Sequence, residues 1–338
     1  MIYRLNTEVR RLAFLSLILT IVVAAAGFVW LPYSNVYLDP SNLGIIAKIV
    51  ALVVALYVVV ALVGHRVRGD ESRPARLIRK LVGTGQTLLH LCALAIPFGL
   101  AIAVFICLAS ANGRPLLDGN LAGMDRAFGF DWLAFLKLTN SSPIVSATLV
   151  AAYHSIGLQM MMVAVFHASM HRLDRLLEYY VTSAVCLTII GVVEALVPAA
   201  GAYAFFKPPA AAFSNFTSEA GMWHYTTLLK LRSGEPFALN FSEAQPLVTF
   251  PSFHTSLGVL IAYSMRYFRV VFWPVLLLEV IMIISTMPEG GHHMIDLIAG
   301  AAIAALSIVI VRSVTYRIDS TAKGANLPPR TVLSPEVD

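Results

Sequence analysis

Charge is scarce in this chain. Only 13% of its 338 residues are Asp, Glu, Lys or Arg, against about 25% in a soluble globular domain, and those few sit in short islands. Cysteine is scarcer still. Cys92, Cys107 and Cys186 all lie inside apolar runs, so they offer neither a disulfide framework nor zinc-ligand spacing and suit small apolar packing roles. The net charge of +5 comes without any basic stripe interleaved with aromatics, which removes the usual signature of a nucleic-acid partner. What abounds is apolar sequence, 58% of the chain. It is arranged in runs of roughly twenty residues, the length that crosses a hydrocarbon core about 30 Å thick. The expected fold is therefore all-α, a polytopic membrane bundle.

Eight spans are expected, near 12–32, 44–64, 84–109, 144–168, 178–199, 251–268, 270–288 and 292–312. The first follows Arg4, Arg10 and Arg11 and is too long for a signal-peptide core, so it is read as an uncleaved span. Alternating the segments between the spans places seventeen Lys and Arg on the side of the N-terminus and six on the other, with Lys48 inside the second span. That asymmetry predicts cytoplasmic termini, and the expected setting is a bacterial inner membrane. The polar tail from residue 314, with Pro328, Pro329 and Pro335, is expected to be disordered. Residues 1–80 form two leading spans and a loop, and 81–313 the main membrane domain.

Two long loops face outward. In 110–143, Met124 to Trp132 alternates apolar and acidic residues at helical spacing, which predicts an interfacial helix at the headgroups. The loop 200–250 carries Trp223-His224-Tyr225, read as an interfacial aromatic belt, and leads into Pro251-Ser252-Phe253-His254. The topology brings His254, at the outer end of the sixth span, to the level of His292 and Asp296, at the outer end of the eighth. Ionisable residues at membrane depth usually face a bundle interior or a wet cavity. His292 and Asp296, four apart, share a helix face, so the carboxylate can fix one imidazole nitrogen and free the other as nucleophile or base. Pro288-Glu289-Gly290-Gly291 makes a turn just before. Two helix N-termini would aim there at an anion. Two histidines, an aspartate and two helix ends suit phosphate chemistry, with one histidine attacking phosphorus and the other protonating the leaving oxygen. No cofactor or metal is called for. A zinc site from His292, His293 and Asp296 is disfavoured, because adjacent histidines do not easily share one tetrahedral centre on a helix.

These residues resemble the type 2 phosphatidic acid phosphatase superfamily, whose pattern reads Lys-x6-Arg-Pro, then Pro-Ser-Gly-His, then Ser-Arg-x5-His-x3-Asp. Pro251, Ser252 and His254 match the second part, with Phe253 in the glycine place. Ser285, His292 and Asp296 match the third, with Thr286 in the arginine place. Of the first part only Lys230 and Arg232 lie in the right region. The bulky residue, the missing arginine and Gly290-Gly291-His292-His293-Met294-Ile295-Asp296 are similar to the inositol phosphorylceramide synthase-like, inositolphosphotransferase branch.

That resemblance implies a six-helix catalytic core in a membrane and lipid substrates, sphingolipids among them. By the family mechanism His292 forms a phosphohistidine, Asp296 orients it, and His254 serves as acid and then base. Arg232, Ser252 and Ser285, with Lys230, contact the phosphate. Glu289 either binds a polar acceptor or caps its turn, and the family spacing selects His292 over its neighbour His293. Loss of one arginine favours a monoanionic diester over a dianionic monoester, hence headgroup transfer over the alternative, lipid phosphate hydrolysis. A transporter would need midplane polar sites in both halves, which the sequence lacks, and an inactive membrane scaffold remains the other rival. Glu194, His154 and Gln159 are expected to form interhelical hydrogen bonds.

Overall fold

The structure is a computed structural model that describes residues 7–324, with side chains as far as Thr315. Arg4 and the tail from 325 lie outside the described residues. The chain opens with α1 (Thr7–Trp30), a 3₁₀ turn (Leu31–Tyr33) and a short strand β1 (Val36–Leu38). There follow α2 (Asn42–Arg66), α3 (Arg73–Ala111), α4 (Asp118–Ala127), α5 (Trp132–Asn140), α6 (Pro143–His154), α7 (Ile156–Ser169) and α8 (Leu173–Leu196). After α9 (Ala202–Phe206) and α10 (Tyr225–Arg232) comes β2 (Phe237–Leu239), and α11 (Phe253–Met265), α12 (Arg269–Ser285) and α13 (Met294–Gly324) complete it. The all-α expectation holds apart from β1 and β2, which pair in parallel with Val36 opposite Phe237 and Leu38 opposite Leu239.

Local chemistry sets the boundaries. Ser72 caps α3 by accepting from the Ala75 N–H, Asp131 caps α5 through Ala134, and Ser252 caps α11 through Thr255. Each side-chain oxygen satisfies an N–H that the helix leaves without a partner. Among the described residues five helices are long and apolar enough to cross a membrane, namely α1 with its 3₁₀ turn, α2, α3, α8 and α13; α5 and α6 add a sixth if their 108° bend is counted as one broken span. This is a multi-pass membrane protein. The expected fourth span arrives as α6 and α7, which meet at Ser155. The sixth arrives as α11, only 13 residues, or about 20 Å at 1.5 Å per residue. Pro251 and Ser252, which lead into it, are buried in protein, where irregular backbone is tolerated.

The core lies around α8, whose apolar stretch is 61% buried, while none of that of α2 is. Cys186 and Ile190 of α8 pack with Leu260 and Ile261 of α11 and Ala304 of α13. All three cysteines are free, and Cys107 and Cys186 are buried.

Contacts sort the connecting segments into two ends. At one, Arg11 donates to the Thr315 carbonyl, and Arg175 and Arg266 both pair with Glu178. At the other, Asn35 donates to the carbonyls of Leu231 and Glu235, Asn42 donates to that of Leu239, and Arg232 reaches those of Ser110, Asn112 and Arg114.

Candidate active site

The site forms where the start of α11 meets the start of α13. Gly300 of α13 lies against the Ser252 carbonyl so closely that no side chain fits between them. Ser256 Oγ donates to the Gly300 carbonyl at 2.8 Å, and the Ser252 N–H to that of Asp296 at 3.1 Å. Close small-residue packing of this kind brings membrane helices together. Here it sets the spacing of the two histidines, whose ring centroids stand 6.4 Å apart.

His292 is held from three sides. Its Nδ1 lies 3.1 Å from Asp296 Oδ2, its N–H donates to the Thr286 carbonyl at 3.1 Å, and its carbonyl accepts from Trp132 Nε1 at 3.0 Å. A carboxylate only accepts, so Nδ1 carries the proton and Nε2 presents a lone pair. The same Asp296 oxygen also takes the His293 N–H at 2.9 Å. On the far side, His254 stacks on Tyr153 at 4.7 Å and 23°.

The loop 200–250 wraps the turn that carries His292. Ala202 N–H donates to Gly291 at 2.7 Å and Gly221 N–H to Glu289 at 2.8 Å, and Tyr203 Oη donates to Pro288 at 2.6 Å. Gly221 and Gly291 both have positive φ, and a Cβ on either would sit 2.6 Å from the other's Cα. Both positions therefore require glycine.

Between loop and helices lies a cavity of about 220 Å³ lined by Tyr153, His154, Trp223, His224, His254 and His292, with Thr249 and Gly290. Trp223 faces Tyr153 at 5.5 Å and His154 at 5.6 Å, so it forms part of the wall of this cavity. His224 Nε2 lies 3.2 Å from the Ala200 carbonyl and 3.1 Å from Thr249 Oγ1. The carbonyl can only accept, so Nε2 carries the proton. Burial pushes the His224 pKa below its ordinary value, against the opposing pull of the Ala200 carbonyl.

The expected substrate contacts are distributed unevenly. Lys230 lines a larger adjoining groove that also reaches His254. Arg232 is committed to the carbonyls of 110–114 and lines neither cavity. Ser252 Oγ caps α11, and Ser285 Oγ donates to its own helix at Met282, 2.5 Å away. The Glu289 carboxylate is buried, with Oε1 at 2.9 Å from His154 Nε2 and 2.6 Å from Thr217 Oγ1. It is thus engaged with neither its own turn nor open space. Nor is the N-terminus of α13 open to an anion, because Asp125 accepts from both Met294 and Ile295 N–H groups. Asp125 is 1% exposed, so α4 turns one face into the bundle as a packed buttress, while Met124 and Phe128 stay exposed. His293 turns away from His254, between Asp118 and Asp125 at 3.6 Å each. Of the intramembrane polar residues, Glu194 accepts from Ser110 at 2.5 Å and Gln159 stays on its own helix at Ser155. Among the described residues no group of three or more His, Cys, Asp or Glu is arranged to hold a metal ion.

Asp118, Asp125, Tyr153, Thr217, Trp223 and His224 complete the site without having been singled out as its members. One signal was available. Asp118 and Asp125 are seven apart, which puts both on one helix face.

Fold and site define a helical membrane protein with a two-histidine, one-aspartate centre at one end of the bundle. Residues 119–310 match the model of the PAP2 superfamily, more than half of the chain, and the chain belongs to that superfamily. No curated protein and no solved structure matches it.

Proposed function

We propose that the chain is a lipid phosphotransferase that moves a phosphate-bearing headgroup from one lipid to another through a phosphohistidine on His292. The observation that carries this reading is the pairing of His254 with an Asp296-oriented His292 across one small cavity. His292 Nε2 attacks phosphorus, the N–P bond forms, and the bond to the donor lipid's oxygen breaks as His254 hands that oxygen its proton. His254, now neutral, takes the proton of the acceptor hydroxyl. That oxygen displaces phosphorus from His292, which restores both side chains. Asp296 steadies the imidazole that becomes positively charged on the way.

The choice of a diester follows from the cavity wall. No Lys or Arg lines it, with Lys230 standing only in the adjoining groove, and a dianionic monoester needs more fixed positive charge than a monoanionic diester. The distribution of Lys and Arg along the chain supports a reading in which this end of the bundle faces outward and the termini are cytoplasmic. A sphingolipid or glycerolipid hydroxyl is the class of acceptor.

The test is incubation of purified protein with headgroup-labelled phospholipid and a lipid alcohol, following new labelled lipid and water-soluble phosphate separately. New labelled lipid that disappears in His292→Ala supports the proposal. Release of headgroup phosphate to water alone would make the enzyme a diester hydrolase, inorganic phosphate released only from an added lipid phosphate would make it a lipid phosphate phosphatase, and a fully active His292→Ala would overturn the phosphohistidine.

A further inference from the structure

The catalytic cavity does not stand alone. Beside it runs a groove of about 790 Å³, and the two share Pro246, Val248 and His254. The floor of the groove is α3. Gly99, Ile102, Ala103 and Ile106 line it at i, i+3, i+4 and i+7, a single apolar stripe about 10 Å long on the helix axis. The small residues at 99 and 103 leave a trough in that stripe, and a Cβ on Gly99 would meet nothing within 4 Å. Leu187 of α8 and Phe253 of α11 close the side. Toward the outer loops the lining turns polar, with Thr227 and Lys230 of α10, then Asn240, Glu243 and Gln245. The roof is β2, which is held in place by β1 and by Asn42, whose side chain donates to Leu239 and accepts from Phe241.

We infer that this groove holds an acyl chain of the substrate lipid, with its polar end presenting the phosphate to His254 and Lys230 meeting that phosphate at the mouth. Three features select a lipid chain over other occupants. The apolar stripe lies on a helix long enough to cross the membrane, the polar end lies where the chain would join its headgroup, and the groove is continuous with the catalytic cavity at His254. Its volume falls in the range of small-molecule sites. The wall α3, the strand β1 and Asn42 all precede residue 119, where the match to the family begins. The leading part of the chain is therefore a component of the substrate site and more than a membrane anchor. The inference rests on the proposed lipid reaction for its meaning, but its test does not need turnover.

The experiment uses the full-length protein in lipid nanodiscs containing a phospholipid with a photoactivatable diazirine in its acyl chain, with crosslinked residues mapped by peptide mass spectrometry. Labelling is expected at 99–106 and at Phe253. It should persist in His292→Ala, which separates lipid binding from chemistry, and in Gly44→Trp, a substitution at a position where a Cβ also meets nothing within 4 Å. Gly99→Leu should reduce it and Gly99→Trp abolish it, in protein that elutes as a single species. The smaller variant keeps the test valid if the larger one does not fold. Labelling confined to outward surfaces such as α2, or labelling at 99–106 that Gly99→Leu and Gly99→Trp leave unchanged, overturns the groove as a lipid site. Groove labelling in a protein that makes no product would leave the groove standing and count against the proposed reaction alone.

Discussion

A single oxygen, Asp296 Oδ2, decides what His292 can do. It accepts from His292 Nδ1 and from the His293 N–H, so it sets both the tautomer and the path of the backbone. In Asp296→Asn the amide offers an N–H to Nδ1, which moves the ring proton to Nε2 and removes the nucleophilic lone pair. The expected loss in kcat is about 10² to 10⁴-fold with little change in KM. A lipid-product assay under saturating substrate checks it, and an unchanged kcat would show that His292 needs no orienting carboxylate. Gly291 fails differently. With φ of +76° and Gly221 Cα lying 2.6 Å from any added Cβ, Gly291→Ala imposes strain of order 1–3 kcal/mol and pushes loop 200–250 off the catalytic turn. Its thermal midpoint should fall along with activity, whereas Asp296→Asn should lose activity and keep the fold of the loop.

Among the elements, α4 shows most plainly what was legible in advance and what was not. Met124 to Trp132 read as an interfacial helix because local periodicity reports only which residues share a face, not what that face meets. In the fold, Asp125 accepts the first two N–H groups of α13, and Asp118 takes those of Ala200 and Gly201. Asp125→Ala strands two donors, one buried and one part-buried, at about 1–3 kcal/mol. It should lower the thermal midpoint and speed hydrogen exchange at 292–296, while an equivalent change at exposed Asp131 should cost only the cap of α5. His254, His292 and Asp296 were readable because their spacing is fixed within two short segments. Their surroundings were not, because Glu289 meets His154 and Thr217 across 135 and 72 residues, and no local pattern records such a meeting. The loop also carries a pH dependence. His224 is buried with its pKa held below 6.5. The unfolded or detached loop therefore binds a proton as pH falls through about 6.5 while the packed one resists. Stability of the loop is full above that pH and declines below it. Hydrogen exchange at 198–203, corrected for intrinsic rates, should rise on acidification, and His224→Gln should flatten the response.

At the scale of the molecule, the charge asymmetry of the sequence and the contacts of the fold constrain each other. Segments assigned to one side by counting Lys and Arg are the ones that meet. Arg11 reaches Thr315, and Arg175 and Arg266 share Glu178, while Asn35, Asn42, Arg232 and the pair His254 and His292 gather at the opposite end. Span counting was less exact where the site lies. Residues 251–268 read as a span although they begin with polar residues, and α11 is only 13 residues, with Ser252 at its N-cap and His254 in its first turn lining the cavity. Sidedness then becomes a property of the whole bundle, because no segment can change sides without breaking contacts at its own end. Lys230 and Arg68 are both exposed and occupy opposite ends, and the native cysteines are buried or half-buried. In intact cells a membrane-impermeant maleimide should therefore label Lys230→Cys, and should reach Arg68→Cys only after lysis. Positive charge retained on the cytoplasmic side is the physical cause. The inverse labelling pattern would place His254 and His292 at the cytoplasmic leaflet and give the enzyme that leaflet's lipids as substrates.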